Sequence, residues 1–125
     1  MLKKILIVDD DIFVTKVLEK MLSECYQVTI CFGGEEAIIH VKNTLYDAII
    51  TDLNMPYKSG LDLAKEIKDL QQVIPILIIS GENFSGAAGA QYLNAVCGYA
   101  DEILGKPFTK IELINTLNSI ITNRS

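Results

Sequence analysis

Three short runs constrain this chain more than anything else in it: Ile5-Leu6-Ile7-Val8, Ala48-Ile49-Ile50 and Ile76-Leu77-Ile78-Ile79 contain no polar residue. A strand with one wet face alternates apolar with polar, so runs without alternation and rich in β-branched residues read as strands buried on both faces. Such strands need helices on both sides. The segments between them supply the stripes: Val14, Val17, Leu18, Met21, Leu22 and Cys25, then Ala37, Ile38, Val41 and Leu45, then Leu63, Ala64, Ile67 and Leu70, each at helical spacing. Val28, Ile30 and Phe32 alternate with Gln27, Thr29 and Cys31, the period of a strand near a sheet edge. Ile103-Leu104 reads as a short last strand. Phe108, Thr109, Glu112 and Leu113 then spell a hydrophobic staple around a capping box, and Leu113, Ile114, Leu117, Ile120 and Ile121 continue it as a buried helical stripe. Residues 82–89 read as a loop ahead of a weak fourth helix carried by Tyr92, Leu93 and Val96, because Gly89 inside a helix costs about 1 kcal/mol relative to alanine.

Five strands alternating with five helices predict one α/β domain over residues 1–125. Its sheet is doubly wound and parallel, in the flavodoxin-like order 2-1-3-4-5, with right-handed crossovers and the alternating second strand and short fifth strand at the edges. A net charge of -5 and a pI near 4.7 argue against direct nucleic-acid binding, which needs lysine and arginine to neutralise phosphates. Cys25, Cys31 and Cys97 are odd in number and lack Cys-x-x-Cys spacing, so neither a disulfide framework nor a zinc site is indicated, and buried, reduced thiols of a cytoplasmic protein are expected. The apolar stretch after Lys4 is too short for a signal peptide or a membrane span. His40, the sole histidine, falls at the margin of a helix face and reads as a partly solvated residue.

In the predicted order the sheet reverses direction between strands 1 and 3, where open α/β folds bind ligands, and the carboxyl ends of those strands carry Asp9, Asp10 and Asp52. A lone Asp52 would read as a turn cap, and acids after strand 1 as residues suited to a helix N-terminus. Together they are a different matter. Unit charges about 5 Å apart repel by roughly 3 kcal/mol at an effective dielectric near 20, so such a cluster calls for a cation. Oxygen-only ligands point to a hard metal, Mg2+ best. Ser80 and Lys106 end strands 4 and 5 and are expected in the same crevice. A metal, a lysine and a hydroxyl around an acid make a phosphoryl-binding site in which Asp52 can act as nucleophile.

This constellation resembles the receiver domain of bacterial response regulators, in two-component signalling. The resemblance runs through Asp9-Asp10-Asp11 after the first strand, Asp52-Leu53-Asn54-Met55-Pro56 with Gly60-Leu61, Ser80-Gly81, and Lys106-Pro107-Phe108. It implies that Asp52 is the phosphoacceptor and that Asp10, Asp52 and the main-chain carbonyl of Asn54 ligate Mg2+, with Asp9 orienting metal-bound water. It also implies that Ser80 is the switch hydroxyl and Lys106 the ion-pairing lysine. The implied partners are a histidine kinase or phosphotransfer protein as donor, and a downstream protein on the face of helix 4, strand 5 and helix 5. Chemistry is limited to self-phosphorylation and self-dephosphorylation, without membrane or direct nucleic-acid binding.

Two features depart from the family pattern. Ile103 stands where the family usually has Tyr or Phe, and Tyr99 is too far along the chain to be assigned that role. The spacing from Ser80 to Lys106 is a few residues longer than the family's common spacing, which places the extra residues in a mobile loop over 82–89. A haloacid-dehalogenase-type enzyme would also use Asp, Ser or Thr, Lys and magnesium, but that family has an acid two residues after the nucleophile, where this chain has Asn54, and a cap for which this chain is too short. An interaction module with altered or no phosphorylation switching is the other alternative. A stand-alone regulator and a receiver from a longer protein both fit the sequence.

Overall fold

The computed structural model describes residues 1–81 and 84–123. Among them the elements alternate without exception: β1 (Lys3–Val8), α1 (Ile12–Leu22), β2 (Tyr26–Cys31), α2 (Gly34–Asn43), β3 (Ala48–Asp52), α3 (Gly60–Asp69), β4 (Ile76–Ser80), α4 (Gly86–Tyr99), β5 (Glu102–Gly105) and α5 (Lys110–Thr122). The strands form one parallel sheet in the order β2-β1-β3-β4-β5, as the sequence predicts.

Strand alternation divides the core in two. Ile5, Ile7, Ile50, Leu77 and Ile79 face Leu18 and Leu22 of α1 and Leu113, Leu117 and Ile120 of α5. Leu6, Val8, Ile49, Ile76 and Ile78 face Ala37 and Val41 of α2, Leu63, Ala64 and Ile67 of α3, and Val96 of α4. Burying each large aliphatic side chain stabilises the fold by about 1.5–3 kcal/mol, so the three unbroken apolar runs hold both layers to the sheet. Thr109 and Glu112 form the predicted capping box at α5, with Phe108 packed on the core beside it. Ser59 and Asp62 form a second, additional box at the start of α3.

Several local expectations are corrected. Helix α2 stops at Asn43, which leaves Leu45 exposed outside its stripe. Val17 is half exposed because Thr15 and Leu18 take the inward positions of α1. At the end of β2 the inward residue is Cys31, and Phe32 turns outward beyond the last ladder pair. Only Cys31 is a buried thiol; Cys25 follows α1 and Cys97 lies on the outer side of α4, both exposed. The predicted loop over 82–89 is shorter than expected: Glu82 and Asn83 lie outside the described residues, and α4 already begins at Gly86. Gly89 lies inside that helix, where a Cβ would come within 2.7 Å of the Phe84 carbonyl carbon of the entering chain, so the close approach needs glycine. Helix α4 is weak in the expected sense, with Val96 its one buried residue. Its last turn is held from α3, where Lys68 Nζ donates to the Gly98 carbonyl at 3.0 Å and the Lys65 and Lys68 ammoniums lie 5.5 and 5.4 Å from the Tyr99 ring centre.

One glycine sets the loop after β3. The Gly60 N–H donates to the Leu53 carbonyl at 2.8 Å, and a Cβ on Gly60 would lie 2.4 Å from the Asp52 carbonyl oxygen. The replacement Gly60→Ala must push backbone away from backbone, and overpacking of this kind costs about 1–3 kcal/mol. Urea unfolding is expected to show a loss in that range, with the Asp52 and Leu53 amides moving most in a 15N–1H spectrum.

Candidate functional site

The carboxyl ends of β1 and β3 are neighbours in the sheet, so the acids that follow them meet at one rim. Ligand oxygens of Asp9, Asp10 and Asp52 all lie within 4.8 Å of one another, with Asp9 buried, Asp10 exposed and Asp52 between. Asp9 is only 3% exposed; its N–H donates to the Cys31 carbonyl at 3.2 Å and its Oδ1 accepts the Asp11 N–H at 2.9 Å. Asp11 is separate from this cluster in function: its side chain caps α1 by accepting the Phe13 N–H at 2.9 Å. The helix-terminus role available to all three acids thus falls to Asp11 alone.

Lys106 reaches the cluster from the β5–α5 turn. Its N–H donates to the Ser80 carbonyl at 2.9 Å, its Nζ lies 3.3 Å from Asp52 Oδ1, and the Lys106–Pro107 peptide that follows is cis. Ser80 is 2% exposed at the end of β4, one residue beyond Ile79, the register partner of Asp52. Asn54 is exposed just past Leu53, whose N–H is tied to the Ile79 carbonyl at 2.9 Å. Ile103 pairs with Ile78 and is partly buried on the α2–α4 side of the sheet. The rim therefore brings together the predicted Asp9, Asp10, Asp52 and Lys106, with Ser80 and Asn54 on its bordering backbone. His40 is remote from it, half-buried, with Nδ1 3.4 Å from the Tyr46 hydroxyl.

Burial pushes the Asp9 carboxyl up to about 6, against the Asp11 N–H that lowers it and with the Asp52 charge raising it further. Asp52 is also raised, by burial first, with Lys106 opposing. These are the electrostatics of anions held together without enough positive charge, and an all-oxygen donor set fits a hard divalent cation.

Three aromatic side chains near this rim are exposed with no motif to mark them: Phe13, Phe32 and Tyr57. Phe32 was hidden by its apparent place in an alternating strand. Tyr57 carried only the signal of an aromatic residue inside a breaker-rich loop.

A family model for the response regulator receiver domain matches residues 5–118. The chain belongs to that family. It is 31% identical over 119 residues to the cell cycle transcriptional regulator CtrA of Caulobacter vibrioides, covering 94% of this chain and 50% of that protein. It is 32% identical over 124 residues to the transcriptional regulatory protein CpxR of Klebsiella pneumoniae, covering 96% and 50%. The chain thus spans about half the length of the curated relatives it matches. Among solved structures, the Francisella response regulator 1452 receiver domain superposes with a TM-score of 0.86 at 27% identity, covering 98% of this chain and 99% of that one. The receiver domain of the sensor histidine kinase PA1611 from Pseudomonas aeruginosa, with a magnesium ion coordinated in its active-site cleft, superposes with a TM-score of 0.84 at 28% identity and the same coverages. Receiver domains are signalling modules rather than classical enzymes, and no helix among the described residues is long and apolar enough to cross a membrane.

The raised carboxyl of Asp9 has a measurable sign. Between its ordinary value of 3.8 and about 6 the folded protein keeps a proton that the unfolded chain has released, so without a divalent cation stability falls as pH rises through that window. The full effect is roughly 3 kcal/mol. In EDTA, Asp9→Asn is expected to be more stable than wild type at neutral pH and equal to it below the ordinary carboxylate range. Added Mg2+ is expected to raise wild type above the variant, as read by urea unfolding.

Proposed function

We propose that this chain is a receiver occupying residues 1–125 that accepts a phosphoryl group on Asp52 from a partner histidine kinase or phosphotransfer protein. The observation that carries the reading is the 3.3 Å approach of Lys106 Nζ to Asp52 Oδ1 on the rim that also holds Asp9 and Asp10. An ammonium so placed steadies the nucleophile before transfer and can pair with phosphoryl oxygens afterwards. In the step itself an Asp52 oxygen attacks phosphorus. The bond from phosphorus to the donor imidazole breaks, its electron pair stays on nitrogen, and that nitrogen takes a proton from solvent. Asp10, Asp52 and the main-chain carbonyl of Asn54 would hold Mg2+, with Asp9 orienting its water, and the ion would supply positive charge against the phosphoryl oxygens. The all-oxygen cluster in this chain and the magnesium in the PA1611 receiver's cleft support that assignment.

Ser80 is the hydroxyl that donates to the bound phosphoryl group. By strand alternation it shares the sheet face of Ile76 and Ile78, against which Val96 of α4 packs. A shift at Ser80 is therefore felt first by the least buried helix, and the output face is α4, β5 and α5. An apolar groove of about 350 Å³, lined in part by Phe13, Val17, Pro107 and Phe108, borders Lys106. Exposed apolar surface beside a reactive carboxylate suits a protein donor. The chain acts in the cytoplasm, catalyses only its own phosphorylation and dephosphorylation, and leaves nucleic acid to other parts of a pathway, in keeping with its net charge of -5. A second reading, an interaction module with altered switching, rests on Ile103, an aliphatic residue at the edge of that output face.

Incubation with Mg2+ and acetyl phosphate is expected to add one phosphoryl group by intact mass, stable in acid and lost in base. Asp52→Asn is expected to abolish it and Lys106→Met to reduce it strongly. An unlabelled wild type would overturn the reading, and sustained turnover of phosphoesters would replace it with an enzyme.

A further inference from the structure

Tyr57 is fully exposed at φ 68°, and the Lys58 N–H donates to the Pro56 carbonyl at 2.7 Å to close a three-residue γ-turn around it. Positive φ is strained for an aromatic residue, and this ring repays none of that strain by burial. Phe32, 47% exposed, lines the same cleft, a space of about 460 Å³ between the β2–α2 turn and the loop after β3. Its backbone is fixed on both sides: the Cys31 carbonyl accepts the Asp9 N–H at 3.2 Å, and the Phe32 N–H donates to the Glu36 carboxylate at 2.9 Å.

The ionic groups of the cleft are unbalanced. Glu35 and Glu36 line it from the first turn of α2, while Lys58, which also lines it, is ion-paired with Glu66 on α3. The cleft is left with two aromatic side chains and an excess of negative charge. Aromatic faces attract cations, and a guanidinium stacks on a ring and donates in a plane, which an ammonium cannot do. The position limits what can bring such a group. Phe32 follows the residue hydrogen-bonded to Asp9, and Tyr57 lies in the loop that leaves Asp52, so whatever fills the cleft sits beside the reactive rim.

We infer that this Phe32–Tyr57 cleft receives an arginine side chain of the protein that delivers the phosphoryl group. The inference rests on the phosphoacceptor reading above. The arginine anchors the donor on the α2 side of Asp52, opposite the Phe13 groove beside Lys106, and its charge complements an acidic surface.

The probe is acetyl-Arg-Arg-amide, titrated into 15N-labelled protein at saturating Mg2+, with the uncharged citrulline dipeptide as control. Saturating amide shifts are expected at residues 32–36 and 57–58 with the arginine peptide and none with citrulline. Tyr57→Asn, which keeps a side chain tolerant of positive φ but removes the ring, and Glu35→Gln are each expected to weaken binding by about fivefold. Equal shifts with citrulline, an unchanged affinity in Tyr57→Asn, or shifts centred on Asp9, Asp10 and Asp52 would overturn the inference. Acetyl phosphate separates it from the reading beneath it, because Tyr57→Asn is expected to label at the wild-type rate. Arginine binding without wild-type labelling would overturn the assignment to a phosphodonor; labelling without arginine binding would overturn the cleft alone.

Discussion

The structure depends on holding three carboxylates at the end of two adjacent parallel strands. Parallel pairing of β1 with β3 ends both strands on one rim, so the charges of Asp9, Asp10 and Asp52 converge as a consequence of register. Each pair at this separation repels by roughly 3 kcal/mol at an effective dielectric near 20, and burial adds to the cost of keeping Asp9 ionised. Lys106 and the Asp11 N–H oppose that repulsion without removing it. The rest of the fold supplies the rigidity. Leu53 is tied to β4, Gly60 lets α3 close against the Asp52 backbone, and Lys106 is anchored through its own N–H to Ser80.

Strand parity then sorts the site into two sides. Asp52 continues the face of Ile50, toward α1 and α5, where Lys106 enters. Ser80 continues the face of Ile76 and Ile78, toward α3 and α4. The ion-paired carboxylate and Ser80 thus occupy strand positions of opposite parity at one rim. Among the helices α4 has the fewest buried residues, and its C-terminal turn leans on lysines of α3. In the proposed switch, chemistry on the well-packed side would be read out through the loosely packed one.

Most of the fold was legible because its signals are local and redundant. An unbroken apolar run can be satisfied only by burial on both faces, and the Thr109–Glu112 box names its own helix start. Misreadings occurred where a single residue can take either side. Thr15 and Val17 lie about 200° apart on α1, and the helix turns the Thr15 side inward, where its hydroxyl donates to the Ile12 carbonyl at 2.7 Å, leaving Val17 half exposed. Phe32 continues an alternating pattern in sequence, but β2 ends at Cys31 and the turn reverses its side. Gly89 reads as a helix breaker, yet here its missing Cβ is what lets the helix lie under the chain that enters it.

By itself the sequence determined the alternation of strands and helices, the order of the sheet and the identity of the residues at its carboxyl rim. All of these follow from hydrophobic period, cap chemistry and the handedness of crossovers. Only the tertiary structure decided that Asp11 caps a helix while Asp9 and Asp10 join Asp52, that Lys106 touches one particular carboxylate oxygen, and that Tyr57 and Phe32 line one cleft. Those outcomes depend on distances between residues far apart in the chain, and the period of a sequence carries no information about such distances until packing fixes them.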